Sequence, residues 1–186
     1  GFADWRRWTL GQRALEAAEE GRYDEAEELA AAAFAASEAP WVPQTAVYAR
    51  LARATVLRAR GEHERVVSLA REAYADHVRT GFTPSRSDWK WYEGDSLRAL
   101  GRLDDASEVL NAAAAEAGAL GAQRVLWRIW ESRALIADAR ARPEEARDAR
   151  AHVRAIVEGI ARSLEPVALA DTFRARADVA AALAET

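Results

Sequence analysis

Small and apolar residues recur along this chain at intervals of forty positions. Four segments share the phase: GRYDEAEELA from Gly21, GEHERVVSLA from Gly61, GRLDDASEVL from Gly101 and ARPEEARDAR from Ala141. Four further columns in the same phase hold Ala26, Val66, Ala106 and Ala146; Leu29, Leu69, Val109 and Ala149; Ala33, Ala73, Ala113 and Val153; and Ala14, Ala54, Gly94 and Ala134. Columns that keep one phase predict stacked copies of a single supersecondary unit.

Each unit is predicted to hold two helices joined by a short turn. Gly21 is expected to close the first helix in the left-handed conformation, and Asp24 to supply the N-cap oxygen of the second. Pro40 and Pro43 are expected to stop one unit and start the next. The predicted helices cover about 4–20, 24–37, 44–60, 64–79, 86–100, 104–117, 123–140 and 143–163. The corresponding units are about 4–40, 44–80, 85–119 and 123–163, followed by a short C-terminal helical cap over 164–186.

Composition agrees with an all-α chain and narrows its partners. Alanine, leucine, arginine and glutamate are strong helix formers, and 186 residues suffice for the single domain that we predict over 1–186. The net charge of −4 disfavours nucleic-acid binding. No apolar run approaches the ~20 residues of a membrane span, so we expect a soluble protein, and the absence of cysteine fits a reducing cytoplasm best. Gly1, in a chain without methionine, is interpreted as a cut end within a longer parent.

The segment GRYDEA at 21–26 resembles the turn of the tetratricopeptide repeat family, as do the small residues at Ala14, Ala54, Gly94 and Ala134. The spacing of forty exceeds the family's usual 34 residues. Longer repeats of this kind resemble the C-terminal regions of large bacterial regulators, either LuxR-type activators or cyclase- and ATPase-linked proteins, and the tail from Ser163 to Leu183 is similar to theirs. The resemblance implies a right-handed α-solenoid of about four helix pairs that binds a peptide or protein segment in its concave groove.

No residue pattern points to catalysis, a cofactor or a metal. Cysteine is absent, which excludes disulfides and thiolate ligands. The three histidines are His63, His77 and His152. GEHERVV lacks the second histidine of a zinc-protease helix, and the acidic clusters at 16–20, 25–28 and 144–145 are typical of solvated helix faces. The chain is therefore predicted not to be an enzyme.

The family pattern places the first helix of each unit along the groove. One column then holds Trp8, Tyr48, Asp88 and Arg128, another holds Ala18, Arg58, Arg98 and Asp138, and Trp91 and Tyr92 are expected beside them. Arg58 and Arg98, about 10 Å apart if adjacent helices pack normally, could clamp a carboxylate and create a local positive site. The candidate peptide-binding residues are Trp8, Tyr48, Arg58, Asp88, Trp91, Tyr92, Arg98 and Arg128.

Two alternatives stay open at this point. The same aromatic and arginine residues could instead fill space between helices and form surface ion pairs, as we expect of Trp89, Trp127 and Trp130 in the core. The chain could also be a self-association module, since uncapped end units expose apolar surface. Phe2, Trp5, Trp8 and Phe173 are the residues that would promote such homo-oligomers. Otherwise the partner is a protein or peptide segment, which could be another domain of the parent chain.

Overall fold

Ten helices make up the regular structure of the described chain. The computed structural model describes residues 2–35 and 43–184. The helices are α1 (Phe2–Glu19), α2 (Tyr23–Ala35), α3 (Pro43–Ala59), α4 (His63–Thr80), α5 (Arg86–Ala99), α6 (Leu103–Leu120), α7 (Gln123–Ala139), α8 (Pro143–Ser163), α9 (Val167–Ala175) and α10 (Ala177–Ala184). No strand occurs in these two stretches, so the predicted all-α class is confirmed. The expected stops at Ser37 and Pro40 lie outside the described residues.

The first helix of each predicted pair ends in the same left-handed turn. The backbone φ angle is 79° at Gly21, 76° at Gly61, 75° at Gly101 and 55° at Ala141. At Gly101 the N–H donates to the Arg98 carbonyl at 2.9 Å, and the N–H of Arg102 donates to the Leu97 carbonyl at 2.9 Å. These two bonds form the Schellman motif, which satisfies carbonyls left open at a helix end. The predicted left-handed conformation of Gly21 is confirmed.

Ala141 makes the same turn with a side chain attached. Its N–H donates to the Asp138 carbonyl at 2.9 Å, and the N–H of Arg142 donates to the Ala137 carbonyl at 2.9 Å. An L-residue in the left-handed region brings its Cβ close to the following carbonyl oxygen, which costs about 1–2 kcal/mol. The hydrogen bonds of the turn therefore hold Ala141 in a conformation that glycine would adopt without strain.

The predicted N-cap role of Asp24 is wrong. The helix α2 begins at Tyr23, and the Arg22 carbonyl already accepts the N–H of Ala26 at 2.9 Å, so the Schellman turn leads directly into the helix. Asp24 lies in the first turn, where a carboxylate still interacts favourably with the helix dipole. Its side chain accepts a hydrogen bond from Arg60 at 3.2 Å, which ties α2 to the end of α3.

Another helix end also differs from the sequence prediction. The helix α6 continues to Leu120 rather than ending near Ala117, because the left-handed residue that closes it is Gly121. The glycine at position 118 lies inside the helix. The connection to α7 therefore consists of Gly121 and Ala122.

The chain divides into two compact units, Gly1–Ser96 and Leu97–Thr186. In the first unit α1 packs against α2 and α3, α2 packs against α3, and α3 packs against α4. Side chains join α5 to this group: Tyr92 bonds Thr55 of α3, and Arg71 of α4 donates to Glu93 at 2.6 Å. The single-domain assignment stays a prediction.

The buried centre of the contact between α1, α2 and α3 is built almost wholly from alanine, with larger side chains such as Leu10, Leu15 and Phe34 only partly buried around it. The alanine cluster consists of Ala14, Ala17, Ala18, Ala26, Ala30, Ala33, Ala49, Ala52 and Val56, all buried. At Gly11, which is also buried, a Cβ would lie 3.0 Å from the Ala49 backbone nitrogen and 3.3 Å from the Tyr48 Cβ. The helices α1 and α3 approach this closely because Gly11 presents no side chain to α3 at this point.

The second unit encloses a larger-residue core. Here α6 packs against α7, α7 against α8, and α9 and α10 against α8 and each other. The core cluster consists of Trp127, Val153, Val157, Val179 and Ala182, with Trp130 and Phe173 partly buried at its edge. The predicted C-terminal cap is thus two helices. The expected core position is confirmed for Trp127, and in the first unit for Trp89, which is fully buried.

Candidate binding surface

Aromatic rings of α1 and α3 meet at one end of the first unit. Trp8 contacts Trp5 and Tyr48 edge to face, with ring centroids 5.7 Å and 6.0 Å apart. Such pairs contribute about 0.5–1.5 kcal/mol beyond the burial of their area. Trp8 and Tyr48 are half-buried, whereas Trp5 is 69 % exposed. The structure therefore brings two of the predicted binding residues together beside an exposed tryptophan.

The same side of α3 continues onto α5. The Thr55 and Tyr92 hydroxyl oxygens lie 2.6 Å apart, and the Trp91 ring centroid is 4.6 Å from that of Tyr92. Both rings are 4 % exposed, so they pack against neighbouring side chains rather than present an open aromatic surface. The role of Trp91 and Tyr92 in peptide binding stays a prediction.

Of the arginines predicted to line the groove, Arg58 is the one that lies in the first unit. Its Nη1 donates to Asp95 Oδ2 at 3.1 Å, and its Cζ lies 5.2 Å from the centroid of the Trp91 ring. The Arg58 side chain is 39 % exposed and that of Asp95 is 5 % exposed. Within the described residues, a buried carboxylate thus balances the Arg58 charge, and the local positive site expected from Arg58 and Arg98 stays a prediction.

Of the remaining predicted residues, one lies in the first unit and two lie in the second. Asp88 is buried. Arg98 and Arg128 belong to the second unit, where Arg98 lies half-buried in the last turn of α5. Arg128 donates to Asp178 of α10 at 2.9 Å. A clamp of Arg58 with Arg98 would join residues of different units and stays a prediction.

The hydrogen bond between Arg128 and Asp178 lies within the second unit and affects the pKa of Asp178. Burial alone would raise the pKa of Asp178, but hydrogen bonds from Arg176 and Arg128 outweigh burial and hold that pKa below its ordinary value. The Arg128 side chain is 13 % exposed, and its guanidinium also lies over the Trp127 ring. Arg128 thus ties α7 to α10.

Two residues of the surface were missed in the sequence, Thr55 and Asp95. They share one column of the forty-residue spacing, directly after the small residues Ala54 and Gly94. The column can be seen in the sequence, but neither threonine nor aspartate at these positions indicated a contact between helices. We use the name first-helix face for the residues that α1, α3 and α5 contribute here: Trp5, Trp8, Tyr48, Thr55, Arg58, Tyr92 and Asp95.

A buried histidine lies elsewhere in the first unit. His77 of α4 is 1 % exposed, and its ring contacts Phe82 and Trp89 edge to face at 5.0 Å and 6.1 Å. Burial and the nearby Arg50 lower the pKa of His77 to about 4, although Asp76 opposes the shift. The Nδ1 atom makes no hydrogen bond within the described stretches. The imidazole is therefore neutral at physiological pH and acts as part of the core.

The described side chains show no constellation for metal chemistry. Within residues 2–35 and 43–184, no group of three or more histidine, aspartate and glutamate side chains is placed to hold a metal ion. None of the helices found there combines the length and apolarity needed to cross a bilayer.

Comparison with known protein families, with curated proteins and with solved structures finds no match to this chain. The resemblance to tetratricopeptide repeats therefore rests on the sequence pattern alone.

Proposed function

We propose that this chain is a protein-interaction module that binds a peptide or protein segment along the first-helix face. The proposal includes the finer architecture expected from the sequence, a right-handed solenoid of tetratricopeptide-like helix pairs with a concave groove. It also places the module in a larger bacterial signalling protein of the cytoplasm. It assigns the chain no catalytic step and no cofactor.

One observation carries the proposal: contacts link three first helices in a single row. Trp8 meets Tyr48 between α1 and α3, and α3 meets α5 through the Thr55–Tyr92 hydrogen bond and the Arg58–Asp95 ion pair. Trp8 and Tyr48 share one column of the forty-residue spacing, and Thr55 and Asp95 share another. A surface built from equivalent positions of repeated helices is the kind on which repeat proteins bind extended partners.

Trp5 supplies the anchor that such a surface needs. Tryptophan is enriched among the few interface residues whose truncation costs at least about 2 kcal/mol of binding. The Trp5 side chain is largely open to solvent and its neighbour Trp8 is held in place by Tyr48. A partner that covers Trp5 would bury a large ring against a preorganised aromatic pair.

Selection from a random peptide display library tests the proposal for a partner segment of any sequence. We expect enriched peptides that bind the intact chain with micromolar affinity and lose at least tenfold in affinity to the Trp5→Ala variant. Leu169→Ala is the matched control, since it removes an exposed apolar side chain from the second unit. Peptides that bind Trp5→Ala and the parent equally would refute this location, and a library that yields none would refute the function.

Self-association is the second candidate, and exposed apolar residues near both ends of the sequence favour it. Trp5 is 69 % exposed, Val167 is 73 % exposed and Leu169 is 50 % exposed. Phe173, expected to be part of this surface, instead packs against the Trp127 cluster, and the Phe2 side chain lies outside the described residues. Light scattering after size-exclusion chromatography separates the candidates, because a concentration-dependent mass that Trp5→Ala abolishes would favour self-association.

A further inference from the structure

We propose that Arg133 of α7, supported by the stacked rings of Trp130 and His152, binds a side-chain carboxylate of an acidic peptide segment. All three residues belong to the second unit, whereas the first-helix face lies in the first unit. The inference therefore goes beyond the proposed function: it adds a second site, with a stated ligand chemistry, that does not depend on Trp5.

The site is built on a stack of rings between α7 and α8. The Trp130 and His152 rings lie face to face, with centroids 4.0 Å apart and planes inclined by 10°. The His152 Nδ1 lies 2.8 Å from the Asp148 carbonyl oxygen, which can only accept, so this nitrogen donates and the hydrogen bond fixes the imidazole. The Arg133 Cζ lies 4.0 Å from the centroid of the Trp130 ring. The guanidinium is thus held against a preorganised aromatic support.

The donors of Arg133 are open to solvent. Arg50 and Arg128, which are likewise half-buried, donate to Asp76 and Asp178, each at 2.9 Å. Arg133 forms no hydrogen bond or ion pair with the residues of 2–35 and 43–184, and none of its nitrogen atoms is buried without a hydrogen bond. An incoming group can therefore reach these nitrogens directly.

The charge of Arg133 is also left without compensation. Burial lowers the pKa of Arg133 below its ordinary value, although Glu145 opposes the shift. Glu145 itself accepts a hydrogen bond from Arg142 at 3.2 Å. A carboxylate brought by a partner would supply the missing negative charge, and the planar fork of a guanidinium matches a carboxylate through two parallel hydrogen bonds. The chemistry of the open group thus indicates an acidic segment.

The probe for this site is hexaglutamate with blocked termini, and hexaglutamine with blocked termini is its neutral counterpart. In the unmodified chain, nuclear magnetic resonance should show the Arg133 Nε–H and the Trp130 indole N–H shifting together as hexaglutamate is added, and staying in place with hexaglutamine. This readout does not require a variant that folds.

Calorimetry at low ionic strength then assigns the binding to one side chain. Arg133→Gln should weaken hexaglutamate binding about fivefold or more, since it removes the cation and its fork. Arg53→Gln is the matched control, because it removes the charge of an exposed arginine that also has no ion pair among the described residues. We expect it to change the affinity less than twofold.

Three results would overturn the inference. They are an absence of shifts in the unmodified chain at millimolar hexaglutamate, equal losses of affinity in Arg133→Gln and Arg53→Gln, or tighter binding of oligothymidylate than of hexaglutamate, which would assign the stack to nucleic acid. The display selection with Trp5→Ala decides the proposed function separately, because neither probe peptide nor Arg133→Gln enters that experiment.

Discussion

Replacing Ala141 by glycine should stabilise the protein, although it removes a side chain. Ala141 has a φ angle of 55°, and an L-residue there carries about 1–2 kcal/mol of conformational strain. Glycine relieves the strain but gives the unfolded chain more conformational freedom, which offsets about 0.4–1 kcal/mol. The free energy of unfolding should therefore rise by about 0.5–1 kcal/mol.

Gly101 provides the reverse experiment, since it lies forty residues before Ala141 in the same column of the sequence. A Cβ built on Gly101 meets no other atom within 4 Å, so Gly101→Ala introduces the backbone strain without a clash. We expect Gly101→Ala to lower the free energy of unfolding by about 0.5–1 kcal/mol, the mirror of the gain from Ala141→Gly. Equal and opposite changes at the two positions would show that the left-handed turn, and not local packing, sets both.

Urea unfolding followed by far-ultraviolet circular dichroism measures these changes, and the melting temperature of Ala141→Gly should rise by about 1–4 °C for a chain of this size. Ala151→Gly, at an exposed position inside α8, is the control, and it should lose about 1 kcal/mol because glycine is a poor helix former. If Ala141→Gly were destabilised as much as Ala151→Gly, the assignment of a left-handed turn at Ala141 would be wrong.

The remaining predictions concern the close helix approach and the buried histidine. Gly11→Ala should destabilise the protein by about 1–3 kcal/mol, because the added Cβ would lie too close to the Ala49 backbone. Gly159→Ala, with open space around it, should instead stabilise α8 by up to about 1 kcal/mol. Urea unfolding measures both changes, and equal effects would contradict the close approach of α1 and α3. The folded pKa of His77 is about 4 against an ordinary 6.5, so the unfolded chain binds the proton first, and stability should fall by about 3 kcal/mol as the pH drops from 6.5 to 4. His77→Phe should remove that part of the pH dependence of unfolding, and an unchanged slope would refute it.

The helices were predictable because their signals are local. The left-handed turn at Gly101 needs a residue that tolerates a positive φ, and its neighbours supply strong helix formers, so sequence alone places the boundary. Ala141 shows that the turn does not depend on glycine: the same pair of hydrogen bonds forms around alanine. Asp24 was misassigned because an acidic residue near a helix start can serve either as N-cap or in the first turn, and a one-residue shift decides which.

The side-chain contacts within the first-helix face could not be predicted in the same way. The columns indicated that Arg58 and Tyr92 share a side of the array, but not that Asp95 binds Arg58 or that Thr55 bonds Tyr92. Those contacts depend on how closely and at what angle α3 and α5 cross, which side-chain volumes along both helices decide together. The pairing of Arg58 with Asp95 is thus a tertiary property that the sequence columns did not indicate.

The alanine cluster between α1, α2 and α3 also determines how this part of the molecule can deform. Alanine has no side-chain rotamers, so these residues lose no side-chain entropy on folding and have no alternative conformers with which to absorb a displacement. In a close-packed interface of this kind, a shift of α1 must be transmitted to α2 and α3 rather than dissipated by repacking. The buried alanines therefore give these three helices few ways to repack at their centre, so we expect α1, α2 and α3 to move together when a partner binds at Trp5.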